Sequence, residues 1–257
     1  MLTKPHFLTA ASVSLLLGVF QAGAALNPVS QDRSVEASSS AAIQSTTVPD
    51  SEGFAAPDFG HFNETADSSA LTTLGALFVA AFGTAEQNSR LTPNRVVATG
   101  EATAGVLLSA VARGTGKSKS ESLFQYEFTV ATPSTYSLLG SVDSESVVSG
   151  GALIPSLETA VVFEDVGLGV VLFETLTFDE TFSISGTLLP GTYRISAEAW
   201  VDVSQASSAS QFRSVNGSSS FELDFKARNV PEAPTQAACL VLGALGGASV
   251  WRRRRLA

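Results

Sequence analysis

The chain has 257 residues with 15 Lys and Arg against 24 Asp and Glu, a formal net charge of −9. It holds one cysteine and two histidines, so a disulfide framework and a zinc cluster built on cysteine and histidine are excluded. The acidic balance also argues against nucleic acid as a partner, because phosphate binding needs a basic face.

The first 24 residues have the form of a secretory signal peptide. Lys4 and His6 make a weakly basic start, Phe7 to Phe20 is largely apolar, and Ala22-Gly23-Ala24 supplies the small residues of an A-x-A cleavage site. Cleavage is expected after Ala24, which implicates the general secretion machinery. With Lys4 and four arginines near the C-terminus set aside, ten basic residues face 24 acidic ones, a net charge of −14 for the exported part.

Residues 25–58 are rich in Ser, Ala, Thr, Gln and Pro and poor in large apolar side chains. Such a segment buries too little surface to offset its ordering entropy, so a disordered leader is expected there. Order is expected to begin near Phe59-Gly60-His61-Phe62. Leu71 to Thr84 has the composition of a helix, but Leu77, Val79 and Ala81 alternate with Phe78, Ala80 and Phe82, which suits one strand buried on both faces. Strand is the expected state.

From Arg95 onward a period of two dominates. Phe124, Tyr126, Phe128 and Val130 share one face, with Gln125, Glu127 and Thr129 opposite. Tyr136, Leu138 and Val142 continue the pattern, and Val161 and Phe163 fit a short strand. Val170 to Phe178 is an apolar run, and Phe182, Ile184 and Leu188 alternate after it. Tyr193, Ile195, Ala197, Ala199, Val201 and Val203 oppose Arg194, Ser196, Glu198, Trp200 and Asp202. Phe221, Leu223 and Phe225 close the series. Strands recurring every 8–15 residues or so, with Gly, Ser, Pro and Asn between them, predict an antiparallel β-sandwich over residues 59–228. Pro133-Ser134-Thr135-Tyr136 and Pro190-Gly191-Thr192-Tyr193 repeat a Pro-x-Thr-Tyr turn similar to those of jelly-roll and carbohydrate-binding-module sandwiches. Both tyrosines are expected to be core or corner residues.

Groups able to do covalent chemistry are scarce. His61 is the one histidine beyond the signal peptide, and it lies between Phe59 and Phe62, where a packed or boundary role is expected. No Gly-x-Ser-x-Gly elbow accompanies it. Gly114-Thr115-Gly116-Lys117-Ser118 lacks the spacing of a phosphate loop, since position 111 is Val, and with Lys119 and Ser120 it reads as a flexible loop. Asp143 with Glu145, Glu164-Asp165 and Asp179-Glu180 are carboxylate pairs that could hold Ca²⁺ or serve glycoside hydrolysis. None forms a known loop signature, and a solvated rim is the expectation. Neither an enzyme nor a cofactor is expected. Trp200 interrupts a polar strand face, the composition of a sugar platform. Burial under the leader or a second layer is the expected alternative.

The last segment, 229–257, has three parts. Val230-Pro231-Glu232-Ala233-Pro234 is followed by an uncharged run from Thr235 to Trp251 and then by Arg252, Arg253, Arg254 and Arg255. As a helix the 17-residue run would cover about 25 Å, the short end for a bilayer core. A single transmembrane helix is expected, with the arginines held in the cytoplasm and Trp251 at the boundary. This arrangement resembles the PEP-CTERM tail of Gram-negative bacteria, the substrate of membrane protease-transpeptidases called exosortases. The usual Val-Pro-Glu-Pro element is interrupted here by Ala233, so Val230, Pro231, Glu232 and Pro234 carry the likeness. The resemblance implies export, temporary retention in the inner membrane, exosortase processing near Pro231-Glu232, and delivery to the cell surface or an exopolysaccharide matrix. A non-enzymatic structural or adhesive domain is the first expectation. A carbohydrate-binding module is the second and a secreted glycan hydrolase the third.

Overall fold

The computed structural model describes residues 25–109, 114–150, 152–175, 178–207 and 212–230. Twelve strands make up this part of the chain. They are β1 (Leu26–Ile43), β2 (Thr46–Ala55), β3 (Phe62–Leu74), β4 (Leu77–Thr92), β5 (Arg95–Leu108) and β6 (Gly114–Val130). The series continues with β7 (Ser134–Ser149), β8 (Ser156–Asp165), β9 (Val170–Glu174), β10 (Glu180–Leu188), β11 (Gly191–Ser207) and β12 (Arg213–Asn229). Six build one sheet in the order β2-β1-β6-β11-β8-β9, and six the other in the order β10-β7-β12-β5-β4-β3. Every pairing is antiparallel. The chain is all-β, and the two sheets face each other across one core.

Three expectations are corrected. The segment 25–58 is not a disordered leader. It supplies β1, which pairs along its length with β6, and β2, which pairs with β1. Val35, Ala37, Ser39, Ala41 and Ile43 of β1 face inward and are buried, so the small residues that suggested disorder belong to the core. Leu71 to Thr84 is two strands rather than one. A turn at Gly75, with φ of +62°, folds β3 back onto β4. Gly114 to Ser120 is no flexible loop but the first half of β6, paired with β1 on one side and β11 on the other.

The interior changes character along β6. At the end formed by Val130 and Gly191, aromatic rings fill the gap. Tyr126 lies 5.5 Å from Phe128, and Phe225 is 5.5 Å from Phe128 and 5.3 Å from Phe163, measured between ring centroids. At the other end Ile43, Val79, Val106, Leu108, Val203 and Val215 pack together. Between them is a waist of Ser, Ala and Gly. Ser118 Oγ donates to Phe82 O (2.6 Å) and Ser120 Oγ to Thr103 O (2.7 Å), so hydroxyls of one sheet bond directly to the backbone of the other. Thr159 does the same to Ser220 O (3.1 Å), and the Gln87 amide donates to Leu123 O (2.9 Å). Gly83 and Gly100 face these groups. A Cβ at Gly100 would fall on Ser122 Oγ and the Phe221 ring, which is why that position has no side chain.

Arg33 is a buried cation on the inner face of β1. Its guanidinium donates to Gly60 O (2.8 Å), Ser89 Oγ (3.1 Å), Asp58 O and Gln31 Oε1, and it lies over the Phe62 ring. Burial pushes its pKa down, opposed by Asp58, and a guanidinium remains charged regardless. The contacts tie the β2–β3 connection across the sandwich. Arg33→Ala would remove the donor from Ser89, Gly60 and Asp58 and leave a cavity where the buried side chain packs, so a loss of about 3 kcal/mol is expected in urea unfolding. Arg33→Lys should recover only part of it, because an ammonium cannot span the same fork of acceptors.

Candidate functional site

The outward face of the β1-β6-β11-β8 region carries the one aromatic platform that the sequence suggested. Trp200 lies on β11 opposite Glu121 of β6 and Glu158 of β8. Glu198 and Asp202 flank it on its own strand, and Glu36 of β1 stands opposite Glu121. Trp200 is thus ringed by carboxylates from four strands. One cation answers them closely. Lys119 Nζ is 5.8 Å from the Trp200 ring centroid and 2.7 Å from Glu121 Oε2. The expectation that Trp200 is covered by the leader or a second layer does not hold. The supposed leader is in the sheet itself, and Trp200 is only partly buried, among the long side chains beside it.

A shallow trough of about 270 Å³ lies beside this cluster. Ala37, Ser38 and Gly53 are among the residues that line it, with Glu36, Glu52, Lys119 and Glu121. The surroundings act on the ionisable groups. The Glu198 carboxyl lies above its ordinary range, first because it is partly buried and then because Glu121 and Glu158 repel its charge, with Lys119 offsetting some of this. Lys119 is raised, chiefly by its hydrogen bond to Glu121. An apolar plate edged by hydrogen-bond acceptors can stack on a sugar ring and accept from its hydroxyls.

The outward face of the other sheet is polar in a different way. A groove of about 420 Å³ is lined by Asn63, Thr65, Glu86, Asn88, Thr99, Glu101, Ser220 and Glu222, among others. Glu86 and Glu101 are direct cross-strand partners, a destabilising like-charge pair. His61 sits at the surface near Asn88, its Nε2 2.9 Å from Asn88 Oδ1, next to buried Phe62, so of the packed and boundary roles expected it does not take the packed one.

The fold separates Glu164 from Asp165, whereas Asp143 and Glu145 stay near each other on the exposed side of β7. Glu164 faces outward and bonds Arg194 (3.0 Å), which also holds Glu127 (2.9 Å). Asp165 turns inward and accepts from the Leu168 N–H. Asp143 and Asp179, distant in sequence, come together at the surface. Asp143 is raised chiefly by its hydrogen bond with Asp179, and Asp179 is lowered by the Ser144 N–H it accepts (3.1 Å). Among the described residues no group of three or more His, Cys, Asp or Glu is arranged to hold a metal ion.

Tyr193 is buried and its hydroxyl donates to Leu189 O (2.8 Å), a corner contact across the Leu189-Pro190 turn. Tyr136 packs on Phe163 and Phe225. Both tyrosines therefore serve the fold. Of the tail, Val230 is described, and its N–H donates to Pro133 O (3.0 Å). Ala22, Ala24, Pro231, Glu232, Pro234 and Arg252 to Arg255 lie outside the described residues, as does the expected span 235–251. Among the described residues no helix is long and apolar enough to cross a membrane.

Comparison with known proteins finds no matching family model, no similar curated protein and no similar solved structure.

The raised Glu198 carboxyl has a consequence for stability. Its folded pKa exceeds the unfolded value, so its contribution is fully present below about pH 4.3 and is lost as pH rises through the folded pKa. Glu198→Gln should raise the thermal midpoint at pH 7 and leave it nearly unchanged below pH 4 or so, where the native carboxyl is already neutral. Calorimetry of both proteins across that range checks the sign.

Proposed function

We propose that this is an exported cell-surface or exopolysaccharide-matrix protein, processed by an exosortase, whose jelly-roll-like sandwich is structural or adhesive rather than catalytic. The observation that carries the reading is where the domain stops. β12 ends at Asn229, Val230 is bonded to Pro133 at the rim, and the Pro-Glu-Ala-Pro element begins at the next residue. The sandwich thus passes straight into the three-part tail. The resemblance of that tail to PEP-CTERM supports temporary retention in the inner membrane by residues 235–251, with Arg252 to Arg255 in the cytoplasm. Partners under this reading are the secretion machinery, the exosortase and extracellular polysaccharide. The strongly acidic faces suit a protein kept dispersed outside the cell. Mass spectrometry of surface-extracted protein should yield a mature chain without Arg252 to Arg255. A C-terminal peptide ending at Ala257 in that material would overturn the processing step.

A second reading, a carbohydrate-binding module, is favoured by the partly exposed Trp200 with its rim of Glu121, Glu158, Glu198 and Asp202. Because this tryptophan faces outward, Trp200→Ala is expected to cost about 1 kcal/mol, largely the Lys119 contact and neighbouring packing. The sequence expectation of a buried aromatic would have made that cost about 3–5 kcal/mol. If the second reading holds, the folded variant should lose polysaccharide pull-down. Retention of full binding would leave Trp200 as surface packing only.

A further inference from the structure

The end of the sandwich from which the chain leaves differs from the rest of its surface. Val230 is fixed there through Pro133, and Ser134 next to it pairs with Leu188, the last residue of β10. The Leu189-Pro190 turn therefore lies two strand spacings, about 10 Å, from the exit. The β8–β9 turn is at the same end, because the Val166 N–H donates to Thr192 O (2.9 Å). Between these turns opens a cleft of about 520 Å³, lined in part by Leu168, Leu172, Leu188, Leu189 and Tyr193. Leu168 is 77% exposed and Leu189 66%.

Charge is also distributed unevenly. At this end the outward face of the β7-β12-β5-β4 region carries Arg90, Arg95, Lys226 and Arg228, answered by Asp224, which Arg95 and Lys226 share. The middle of the same face holds Glu86, Glu101 and Glu222 with no cation among the residues lining its groove. In an exported part of net charge −14, four cations gathered beside an apolar tip form a local exception.

We propose that this end is a membrane-docking face, seated on an anionic bilayer with Leu168 and Leu189 in the interfacial zone and the four cations beside lipid phosphates. The inference rests on the reading of residues 235–251 as a membrane span. Four residues lie between Val230 and Thr235, which limits Val230 to about 18 Å from the start of the apolar run even when fully extended. A tethered domain that close meets the headgroup layer, and exposed leucines with flanking cations are the groups that layer favours. A second copy fits less well, since a twofold contact through this face would set the same cations against each other.

The test uses the full chain with Cys239, its one cysteine, replaced by serine. A nitrobenzoxadiazole probe is placed at Leu189→Cys or, at the opposite end of the sandwich, at Ser45→Cys. The protein is reconstituted in vesicles of phosphatidylcholine with and without phosphatidylglycerol. The expected result is a blue shift of the Leu189 probe in the anionic vesicles, a smaller shift in phosphatidylcholine alone, and none at Ser45. Equal shifts in both lipids would overturn the role of the cations. A water-like Leu189 probe on a chain that floats with vesicles and resists alkaline extraction would overturn docking while the anchor stands. A chain that fails to float would remove the anchor and the docking together.

Discussion

The close approach of the two sheets across the first half of β6 sets the terms for the rest of the molecule. Facing sheets usually lie about 10 Å apart and meet through apolar side chains. Here Ser118 and Ser120 reach the backbone carbonyls of Phe82 and Thr103 directly. A single hydroxymethyl group spans the gap, so the residue opposite must be small, and Gly83, Ala85, Gly100 and Ala102 fill that role. Larger groups are displaced to the two ends, aromatic at one and aliphatic at the other. Each buried hydroxyl at the waist that finds a carbonyl avoids the penalty of an unpaired polar group.

That waist explains what could and could not be read from the chain. The alternation of Phe124, Tyr126, Phe128 and Val130, and of Tyr193 to Val203, marks strands because large and polar residues trade places at every step. β1 has the same period of two, but Ala37, Ser39 and Ala41 alternate with Glu36, Ser38 and Ser40, and the contrast in volume is too small to stand out. A segment that buries little area by itself looks disordered unless the facing layer is known to demand small residues. Arg33 breaks the inward pattern as well, since a charge is rarely an inward residue. For the site, the polar face bearing Trp200 was legible from β11 alone. Its neighbours Glu36, Lys119, Glu121 and Glu158 were not, because strand register and not sequence proximity brings them together.

The lateral margins of the sandwich are treated unequally. On one side Asp50 and Glu52 of β2 accept the N–H groups of Ser69 and Asp67 on β3 (2.7 and 2.9 Å), so carboxylates occupy donors that another strand would otherwise use. On the other side the Phe173 and Phe182 rings meet at 4.8 Å, but Val170, Val171 and Leu172 of β9 stay exposed. The acidic outer faces, including the opposed Glu86 and Glu101, oppose close self-association over the remaining surface.

The serine and glycine waist also bears on how the domain responds to temperature. Heat capacity of unfolding grows with the apolar area exposed and falls with the polar area exposed. A core whose middle is hydroxyl, methyl and bare backbone releases less apolar surface per residue than one filled with leucine. Its stability curve is therefore flatter, with cohesion spread more evenly from cold to warm.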